Sequence, residues 1–354
     1  MESPFRIRVS DTALFEDFIR KAPKIGIVTH MHPDGDAIGS SLAMKHFIED
    51  RLDGAGRCRI LLDTEAPDAV RFLFSPTDRE ETFVWGAQSR EAEDWIAGCG
   101  LLIILDLNRF SRTGKLEPAL RNSGAKKVLV DHHLDPDAAG FDLVFSRTEV
   151  SSTCELLCHV LSLFPVSDGK GLPASCLDPL LTGITTDTNN FANSVFGTTL
   201  KTVSALLDAG ADREAILEHL YNSYPERRIR LMGRLLDSEL TVTGRGVAYM
   251  VLDRTTADAF GIRDGETEGF VNIPLAIDRV KMSLFLKQEG DEYRVSIRSK
   301  RGWSANRLAT RYFEGGGHEQ ASGGKIRLDG ALKTKADVAA LIERCTDEFL
   351  ENEA

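Results

Sequence analysis

Apolar residues in the first half of the chain form short continuous runs, which longer amphipathic stretches separate. The runs cover residues 24–30, 57–63, 101–107 and 126–133. Their β-branched residues and their lack of polar alternation are typical of parallel strands that are buried on both faces of a sheet. Residues 35–50, with Ile38, Leu42 and Phe47 among the apolar positions, predict an amphipathic helix after the first run. The pattern therefore predicts an α/β fold with helices on both faces of a parallel sheet.

The pattern changes in the second half of the chain. Helical patterns cover residues 152–164, 174–188, 198–209, 212–221 and 225–239. After about residue 240, β-like runs such as VAYMVLD and YRVSIRSK are interleaved with helices, and the chain ends in a helical pattern over 334–352. A chain of 354 residues is also longer than one typical core requires. We therefore predict a first domain over 1–222, a helical linker over about 222–239 and a smaller α+β domain over 240–354.

Charge is distributed unevenly along the chain. Residues 1–229 carry 24 Lys and Arg against 34 Asp and Glu, whereas residues 230–354 carry 19 against 20. An acidic protein is a poor match for long duplex nucleic acid, and carboxylates that bind divalent cations would account for part of the imbalance.

No apolar run approaches the ~20 residues of a membrane span. The N-terminus lacks the layout of a signal peptide, and the six cysteines form no C-x-x-C pair, so we expect a cytoplasmic protein without a membrane partner.

Ionisable residues are concentrated where the predicted strands end. They are His30, Asp34, Asp36, Asp106, Asp131, His132 and His133. Because ligands of open α/β sheets bind beyond the carboxyl ends of the strands, these side chains could converge on one crevice. Mixed carboxylate and imidazole ligands suit Mn²⁺, Mg²⁺ or Fe²⁺, and Gly35 would let the backbone turn between two carboxylates that serve different ions. Taken singly, each signal also fits a polar turn or a helix N-cap.

The order of these residues along the chain is more specific than any one of them. It reads H-x-x-x-D-x-D, then Asp106, then Asp-His-His at 131–133, then Thr-Asp-Thr at 186–188. This order resembles the motifs of the DHH phosphoesterase superfamily, which includes RecJ-like exonucleases. The stretches NRLATRYFEGGGHEQASGG (306–324) and VSIRSK (295–300) resemble the glycine-rich motif and the arginine strand of the DHH-associated C-terminal domain.

The resemblance implies two divalent metal ions, with Mn²⁺ expected and Mg²⁺ or Co²⁺ as alternatives. The ligands it implies are His30, Asp34 and Asp106 for one ion and Asp36, Asp106, His132 and Asp187 for the other. Asp106 would bridge the ions and, with His132 and His133, belong to the catalytic residues. Asp131 would orient His132 or nearby backbone, and His133 would contact the scissile phosphate or assist the leaving group. A hydroxide shared by two ions about 3.5–4 Å apart would be the nucleophile.

The resemblance also assigns phosphate or nucleotide binding to residues of the second domain. These residues are Arg298, Gly315, Gly316, Gly317 and His318. Glycine amides can approach a phosphate closely, and the planar fork of arginine meets two phosphate oxygens at once. The basic residues between 294 and 311 could otherwise form an ordinary balanced surface. Three positions depart from the family pattern: Glu314 and Asn189 stand where many relatives have glycine, and Ser322 stands where alanine is commoner.

Length and domain content narrow the choice within the superfamily. The chain has little room for the added modules of RecJ-type nucleases, lacks the transmembrane and sensory segments of membrane-bound cyclic-dinucleotide phosphodiesterases, and carries the GGGH motif that inorganic pyrophosphatases lack. The nanoRNase/pAp-phosphatase branch fits best. It implies hydrolysis of short single-stranded oligoribonucleotides, linear dinucleotides or 3′-phosphoadenosine 5′-phosphate (pAp), and it is compatible with a homodimer. Cyclic-dinucleotide phosphodiesterase, exopolyphosphatase or pyrophosphatase activity, and a non-catalytic nucleotide-binding regulator, are the alternatives.

Overall fold

The structure is a computed structural model that describes residues 7–52, 54–164, 171–263, 265–329 and 334–353. Its contacts divide the chain into two compact units, Met1–Ser223 and Tyr224–Ala354. The strands of the first unit are β1 (Ile25–Val28), β2 (Cys58–Leu62), β3 (Thr82–Val84), β4 (Leu101–Leu105), β5 (Lys126–Asp131) and β6 (Leu143–Ser146). Its helices are α1 (Val9–Lys21), α2 (Gly35–Arg51), α3 (Pro76–Glu80), α4 (Trp85–Gly98), α5 (Glu117–Asn122), α6 (Thr153–Ser162), α7 (Ala174–Asp187), α8 (Gly197–Asp208) and α9 (Arg213–Tyr221).

The strands described in the first unit form one parallel sheet in the order β3-β2-β1-β4-β5-β6. One face of the sheet packs against α1, α2, α6 and α7, and the other face packs against α4 and α5. Ile103 and Ile104 of β4 are both fully buried, on opposite faces, so a continuous apolar run is the expected sequence of such a strand. The predicted α/β fold with helices on both faces of a parallel sheet is confirmed.

The second unit is built on a mixed sheet. Its strands are β7 (Thr241–Val242), β8 (Val247–Leu252), β9 (Met282–Glu289), β10 (Glu292–Ser299), β11 (Gly316–Gly317) and β12 (Ala321–Arg327), and its helices are α10 (Glu226–Ser238), α11 (Arg254–Ala259), α12 (Ala305–Tyr312) and α13 (Lys335–Glu353). The strand order is β11-β12-β10-β9-β8-β7, in which β8 and β9 are parallel and the other pairs are antiparallel. One face packs against α12 and α13, and the other packs against α10 and a 3-10 segment at Phe270–Ala276. The α+β class predicted for this part of the chain is confirmed.

Helices α2 and α7 cross so closely that glycine is required where they meet. A Cβ atom added to Gly35 would lie 2.3 Å from Oγ1 of Thr186, and one added to Gly39 would lie 2.3 Å from the carbonyl oxygen of Pro179. Gly35 therefore serves helix packing and not a turn, since it begins α2 with ordinary helical backbone. This crossing brings the start of α2 next to the end of α7. None of the helices in the described ranges is long and apolar enough to cross a membrane.

Candidate metal centre

His30 follows β1 and turns one ring nitrogen toward two carboxylates. Its Nδ1 lies 2.9 Å from the carbonyl oxygen of Met31, which can only accept a hydrogen bond, so Nδ1 carries the hydrogen and Nε2 presents its lone pair. Nε2 lies 3.3 Å from Oδ2 of Asp106 and 3.9 Å from Oδ2 of Asp34. Burial lowers the pKa of His30 and so disfavours a second proton on the ring. Three acceptor atoms that face one another in this way fit a cation.

Asp34 has two roles, one for each carboxylate oxygen. It is the N-cap of α2, where its Oδ1 accepts hydrogen bonds of 3.0 Å from the backbone N–H groups of Asp36 and Ala37. Its Oδ2 is the oxygen that faces His30. Burial alone would raise the pKa of Asp34, but two groups outweigh it and hold that pKa below its usual value. They are His30, which attracts the carboxylate once its ring is protonated in acid, and the N–H of Ala37, which donates a hydrogen bond. The N-cap interpretation and the ligand interpretation are therefore compatible.

Asp36 lies in the first turn of α2 and is held by the N-terminus of α6. Its Oδ2 accepts a 2.7 Å hydrogen bond from the N–H of Thr153, and its Oδ1 accepts one of 2.8 Å from the N–H of Cys154. The first N–H groups of a helix have no partner within the helix and carry partial positive charge, so this position favours a carboxylate. Asp36 is almost completely buried.

Asp106 follows β4 with a left-handed backbone, at φ +59°. This conformation strains the backbone of any residue other than glycine. Residues strained in this way cluster at functional sites. Its Oδ2 faces His30, whereas its Oδ1 accepts a 3.0 Å hydrogen bond from Oγ1 of Thr153 and lies 3.6 Å from Nε2 of His132. The two oxygens of one buried carboxylate thus face different histidines.

His132 follows β5 and meets carboxylates from three other elements. Its Nε2 lies 3.8 Å from Oδ2 of Asp36 and 3.5 Å from Oδ2 of Asp187, the last residue of α7. Two groups of side chains follow from these contacts, namely His30 with Asp34 and Asp106, and Asp36 with Asp106 and His132. Within each group the ligand atoms all lie within 4.8 Å of one another, and Asp106 belongs to both groups.

Electrostatics at the centre also fits divalent cations. Burial, followed by the charges of Asp106 and Asp34, raises the pKa of Asp36 well above its usual range. Burial, followed by the charges of Asp34 and Asp187, does the same for the pKa of Asp106. Several buried carboxylates cannot all hold negative charge at short range unless cations offset it. The residues present therefore fit the divalent metals that the sequence resemblance implies.

Asp131 and His133 form a second arrangement beside this centre, which includes a residue that the sequence did not single out. Nδ1 of His133 lies 2.7 Å from Oδ1 of Asp131, so it donates to that carboxylate. Nε2 of His133 lies 3.0 Å from Nη1 of Arg112, which can only donate. Arg112 lies in a 3-10 segment, Phe110–Leu116, that follows Asp106 in the chain. In the sequence, Arg112 is one arginine in a polar loop after a predicted strand, and nothing else there sets it apart.

The candidate phosphate-binding residues of the second unit meet around one residue of β12. Arg298 on β10 is paired with Ala321, and the N–H of His318 donates a 2.8 Å hydrogen bond to the carbonyl oxygen of Ala321. The glycines between them are Gly315, Gly316 and Gly317. A Cβ at Gly315 would lie 1.9 Å from the carbonyl oxygen of Gly323, and Gly317 has a φ of +143°, whereas a Cβ at Gly316 would contact no atom of the described residues within 4 Å. Packing thus requires two of these glycines and leaves Gly316 open to a ligand.

Polar side chains of α12 hold this glycine loop, and the sequence did not single them out either. Asn306 donates to the carbonyl oxygen of Gly317, and Oγ1 of Thr310 donates to that of Gly315 at 3.3 Å. Glu314, just before the loop, and Asn189, just after α7, have φ angles of +46° and +49°. Both are left-handed positions, which explains why glycine would suit them.

The fold and the site together define a class of protein. A doubly wound α/β unit carries a candidate binuclear metal centre beyond its strand ends, around the point between β1 and β4 where the strand order reverses. A mixed-sheet unit with an arginine strand and a glycine loop follows it. Residues 24–184 match the DHH family, N-terminal domain, and residues 244–348 match the DHHA1 domain.

The chain belongs to the DHH family, as the sequence resemblance indicated. It is 30% identical over 309 residues to the bifunctional oligoribonuclease and PAP phosphatase NrnA of Thermus thermophilus, with 86% of this chain and 84% of that protein covered. It is 28% identical over 309 residues to a probable protein of the same name from Streptococcus mutans, with 86% and 90% covered. The crystal structure of an exopolyphosphatase-related protein from Bacteroides fragilis superposes with a TM-score of 0.88 at 29% identity, over 99% of both chains.

Proposed function

We propose that this protein is a two-metal-ion phosphoesterase that hydrolyses short oligoribonucleotides, linear dinucleotides or pAp to mononucleotides. The observation that carries the proposal is the pair of ligand groups that share Asp106 at the carboxyl end of the parallel sheet. Membership of the DHH family supports the reaction class. The substrate class is supported by the relatives named oligoribonuclease and PAP phosphatase, whose lengths this chain covers almost completely.

The residues proposed to hold the ions are those of the two ligand groups and Asp187. His30, Asp34 and Asp106 would hold one ion, and Asp36, Asp106, His132 and Asp187 the other. The mixture of imidazole and carboxylate ligands favours Mn²⁺, with Mg²⁺ or Co²⁺ as alternatives. When bound, such ions activate a water molecule for attack and neutralise charge on the attacked phosphate.

Arg112 and His133 are the groups of this chain proposed to act on the phosphate beside the ions. The guanidinium of Arg112 offers further N–H donors for phosphate oxygens while it donates to His133. When the guanidinium of Arg112 turns from His133 to the phosphate, Nε2 of His133 can take up a proton from the attacking water and pass it to the leaving oxygen. Asp131, which accepts from Nδ1, stabilises the imidazolium that carries this proton.

Binding of the substrate's terminal phosphate or nucleotide is proposed for the second unit. Arg298 would supply positive charge, His318 would supply a hydrogen-bond donor, and the open backbone at Gly316 would let a phosphate approach the main chain. A small binding site of this kind contacts only a few nucleotides, so it does not require a basic protein surface. The net negative charge is therefore compatible with short single-stranded RNA or a small nucleotide as the partner, and not with a long duplex.

A hydrolysis assay with the full-length protein tests this proposal. An RNA dinucleotide, pAp, cyclic di-AMP and polyphosphate are each incubated with Mn²⁺, Mg²⁺ or Co²⁺, for the wild type and for Asp106→Asn. We expect fast release of mononucleotide from the dinucleotide or pAp, and at least a ~1,000-fold slower reaction in the variant, since bridging-ligand loss removes several kcal/mol of charge stabilisation.

Three other outcomes would contradict parts of the proposal. Turnover of polyphosphate or cyclic di-AMP alone would make the substrate assignment wrong. Tight nucleotide binding without hydrolysis under any of the metals would indicate a non-catalytic regulator. An Asp106→Asn variant as active as the wild type would show that Asp106 is not a shared metal ligand.

A further inference from the structure

Asp106 must present its two oxygens in a defined direction for the shared role proposed above. Oδ2 lies 3.3 Å from Nε2 of His30, and Oδ1 lies 3.6 Å from Nε2 of His132. Rotation of a carboxylate about its last torsion is soft, because the well is broad and roughly two-fold. The strained backbone of Asp106 fixes where the carboxylate begins, but it does not fix this rotation. Another group has to hold one of the two oxygens.

Thr153 is the residue that holds it. Its Oγ1 donates a 3.0 Å hydrogen bond to Oδ1 of Asp106, and its N–H donates a 2.7 Å hydrogen bond to Oδ2 of Asp36. Thr153 is completely buried, so water does not compete for either bond. One residue thus contacts one oxygen of each carboxylate in the group formed by Asp36, Asp106 and His132.

Thr153 is itself firmly placed by a buried frame around the start of α6. Ser152 is the N-cap and accepts from the N–H of Glu155 at 3.0 Å. Oε2 of Glu155 accepts from the N–H and the hydroxyl of Ser151, at 2.8 and 2.6 Å, and from the hydroxyl of Thr199 at 2.7 Å. These bonds tie the residues before α6 to its first turn and to α8. The backbone from which the side chain of Thr153 projects is therefore held in place.

The chemistry of this position suits threonine. As the first residue of α6, Thr153 has no carbonyl of its own helix four residues earlier to which its hydroxyl would otherwise donate. Its β-branched side chain has restricted rotation, which directs the hydroxyl with little loss of entropy on binding.

We propose that Thr153 is a positioning residue of the metal centre, and that its hydroxyl sets how Asp106 divides its two oxygens between the two ligand groups. The proposal rests on the metal-dependent function proposed above, and it adds a residue that is not itself a ligand. Because the hydroxyl contacts Oδ1, its loss affects the group that includes Asp36 and His132. The group that includes His30 and Asp34 keeps its ligands.

Thr153→Val tests this role, because valine keeps the shape of threonine and removes only the donor. Manganese binding to the full-length protein is measured by isothermal titration calorimetry. We expect the wild type to bind two ions, and the variant to bind one of them about 10- to 100-fold more weakly while the other is little changed, as is typical when a residue that orients a ligand is removed. Thr153→Ser, which keeps the hydroxyl, should restore most of the affinity.

Thr346→Val is the matched control. Thr346 is equally buried, but its hydroxyl donates to the carbonyl oxygen of Ile342 in its own helix, in the second unit. This variant should bind both ions as the wild type does. Thermal unfolding in a chelator shows whether each variant is folded, and Thr153→Ala replaces Thr153→Val if valine prevents folding.

The outcomes separate this proposal from the proposed function. Equal affinity for both ions in Thr153→Val and the wild type would overturn the positioning role, whatever the protein hydrolyses. Weaker affinity for both ions in Thr346→Val as well would show a general effect of threonine loss and would also overturn it. A wild type that binds two ions and hydrolyses none of the four substrates would make the proposed function wrong, while the titration of Thr153→Val would still decide the positioning role.

Discussion

At the scale of the residue, the centre depends on conformations that are costly for the side chains involved. Asp106 has left-handed backbone, and it is almost completely buried beside other carboxylates. Both features oppose folding in the absence of metal. The stability of the metal-free protein is therefore limited by the residues on which the proposed activity depends, as is common where function requires a strained or charged site.

Asp106→Asn should therefore stabilise the metal-free protein. Asparagine tolerates left-handed backbone, its Oδ1 can still accept from Thr153, and its N–H₂ group can donate to Nε2 of His30. In a chelator at pH 8 we expect the free energy of unfolding to rise by about 1 to 2 kcal/mol, measured by chemical denaturation.

The gain should depend on pH in a defined direction. Burial and neighbouring charges raise the pKa of Asp106 in the folded state, so the folded protein binds more protons than the unfolded chain. Aspartate at this position therefore lowers the free energy of unfolding increasingly as the pH rises above the ordinary pKa of an aspartate side chain. The advantage of asparagine should thus be largest at pH 8 and shrink toward pH 4. An asparagine variant that is less stable than the wild type in the chelator at pH 8 would contradict this account.

Gly316 and Gly315 provide a second prediction at this scale. The Cβ of Gly316→Ala would have no neighbour within 4 Å in the part of the chain that the structure describes, so the free energy of unfolding should stay within about 0.5 kcal/mol of the wild type. If the main chain at Gly316 approaches the substrate's phosphate, the added methyl group should raise KM for a dinucleotide about tenfold, the loss of roughly one hydrogen bond. Gly315→Ala is the contrasting variant, because its Cβ would collide with Gly323 and should destabilise the protein by about 1 to 3 kcal/mol. An unchanged KM in Gly316→Ala would argue against phosphate binding at this loop.

At the scale of the element, the crossing of α2 and α7 sets the distance between ligands that lie far apart in the sequence. Asp36 lies at the start of α2, and Asp187 ends α7. Glycines at the contact let the backbones approach more closely than any side chain would permit. The separation between Asp36 and Asp187 is therefore a property of the two helices and not of the loops next to them.

Gly39→Ala should disturb this crossing. Its Cβ would lie 2.3 Å from the carbonyl oxygen of Pro179, so the helices have to move apart. We expect a loss of about 1 to 3 kcal/mol in the free energy of unfolding, together with weaker manganese binding. Gly233→Ala is the matched control, since Gly233 lies in α10 and, outside the backbone of that helix, the added Cβ would have no atom of the described residues within 4 Å. That variant should gain up to about 1 kcal/mol from helix propensity and bind manganese normally. Normal manganese binding in a destabilised Gly39→Ala would show that the crossing does not set the ligand geometry.

Elements with a strong apolar pattern could be predicted from the sequence, and weakly patterned ones could not. The runs at 101–107 and 126–133 became β4 and β5, because continuous burial on both faces demands continuous apolar residues. Strands β3 and β6 were missed, because they are only three and four residues long and partly exposed. Neither strand contains an apolar run that would distinguish it from a loop in the sequence.

The same limit applies to the candidate site. The residues that follow the strands could be predicted, because the topology of a parallel sheet gathers its strand ends. Arg112 and Thr153 could not, because only a tertiary hydrogen bond to a residue from another element places each of them beside the candidate site. Neither local composition nor spacing distinguishes such residues from ordinary loop or helix positions.

At the scale of the whole molecule, the excess of acidic residues and the candidate ligands lie in the same unit. Residues 1–223 carry 22 Lys and Arg against 33 Asp and Glu, which equals the net charge of −11, and the ligand groups fall between His30 and Asp187. Among the described residues, the buried clusters of the first unit involve none of the strands of the second, so each unit has its own core. Metal binding should therefore stabilise the first unit directly.

Hydrogen exchange with and without Mn²⁺ would test this division. At a free Mn²⁺ concentration of 100 times Kd, each of the two proposed ions adds about 2.7 kcal/mol of stability, so the pair corresponds to roughly 10,000-fold slower exchange for amides that open only when their unit unfolds. The core amides of β4 and β5 should show this slowing, because they precede Asp106 and His132 directly. Those of β9 and β10 should exchange at the same rate with and without the metal. Asp106→Asn should lose the protection in β4 and β5, which separates binding at the centre from general effects of the ion. Equal protection of β9 and β10 in the wild type would show instead that the two units unfold together, and the metal would then stabilise the molecule as a whole.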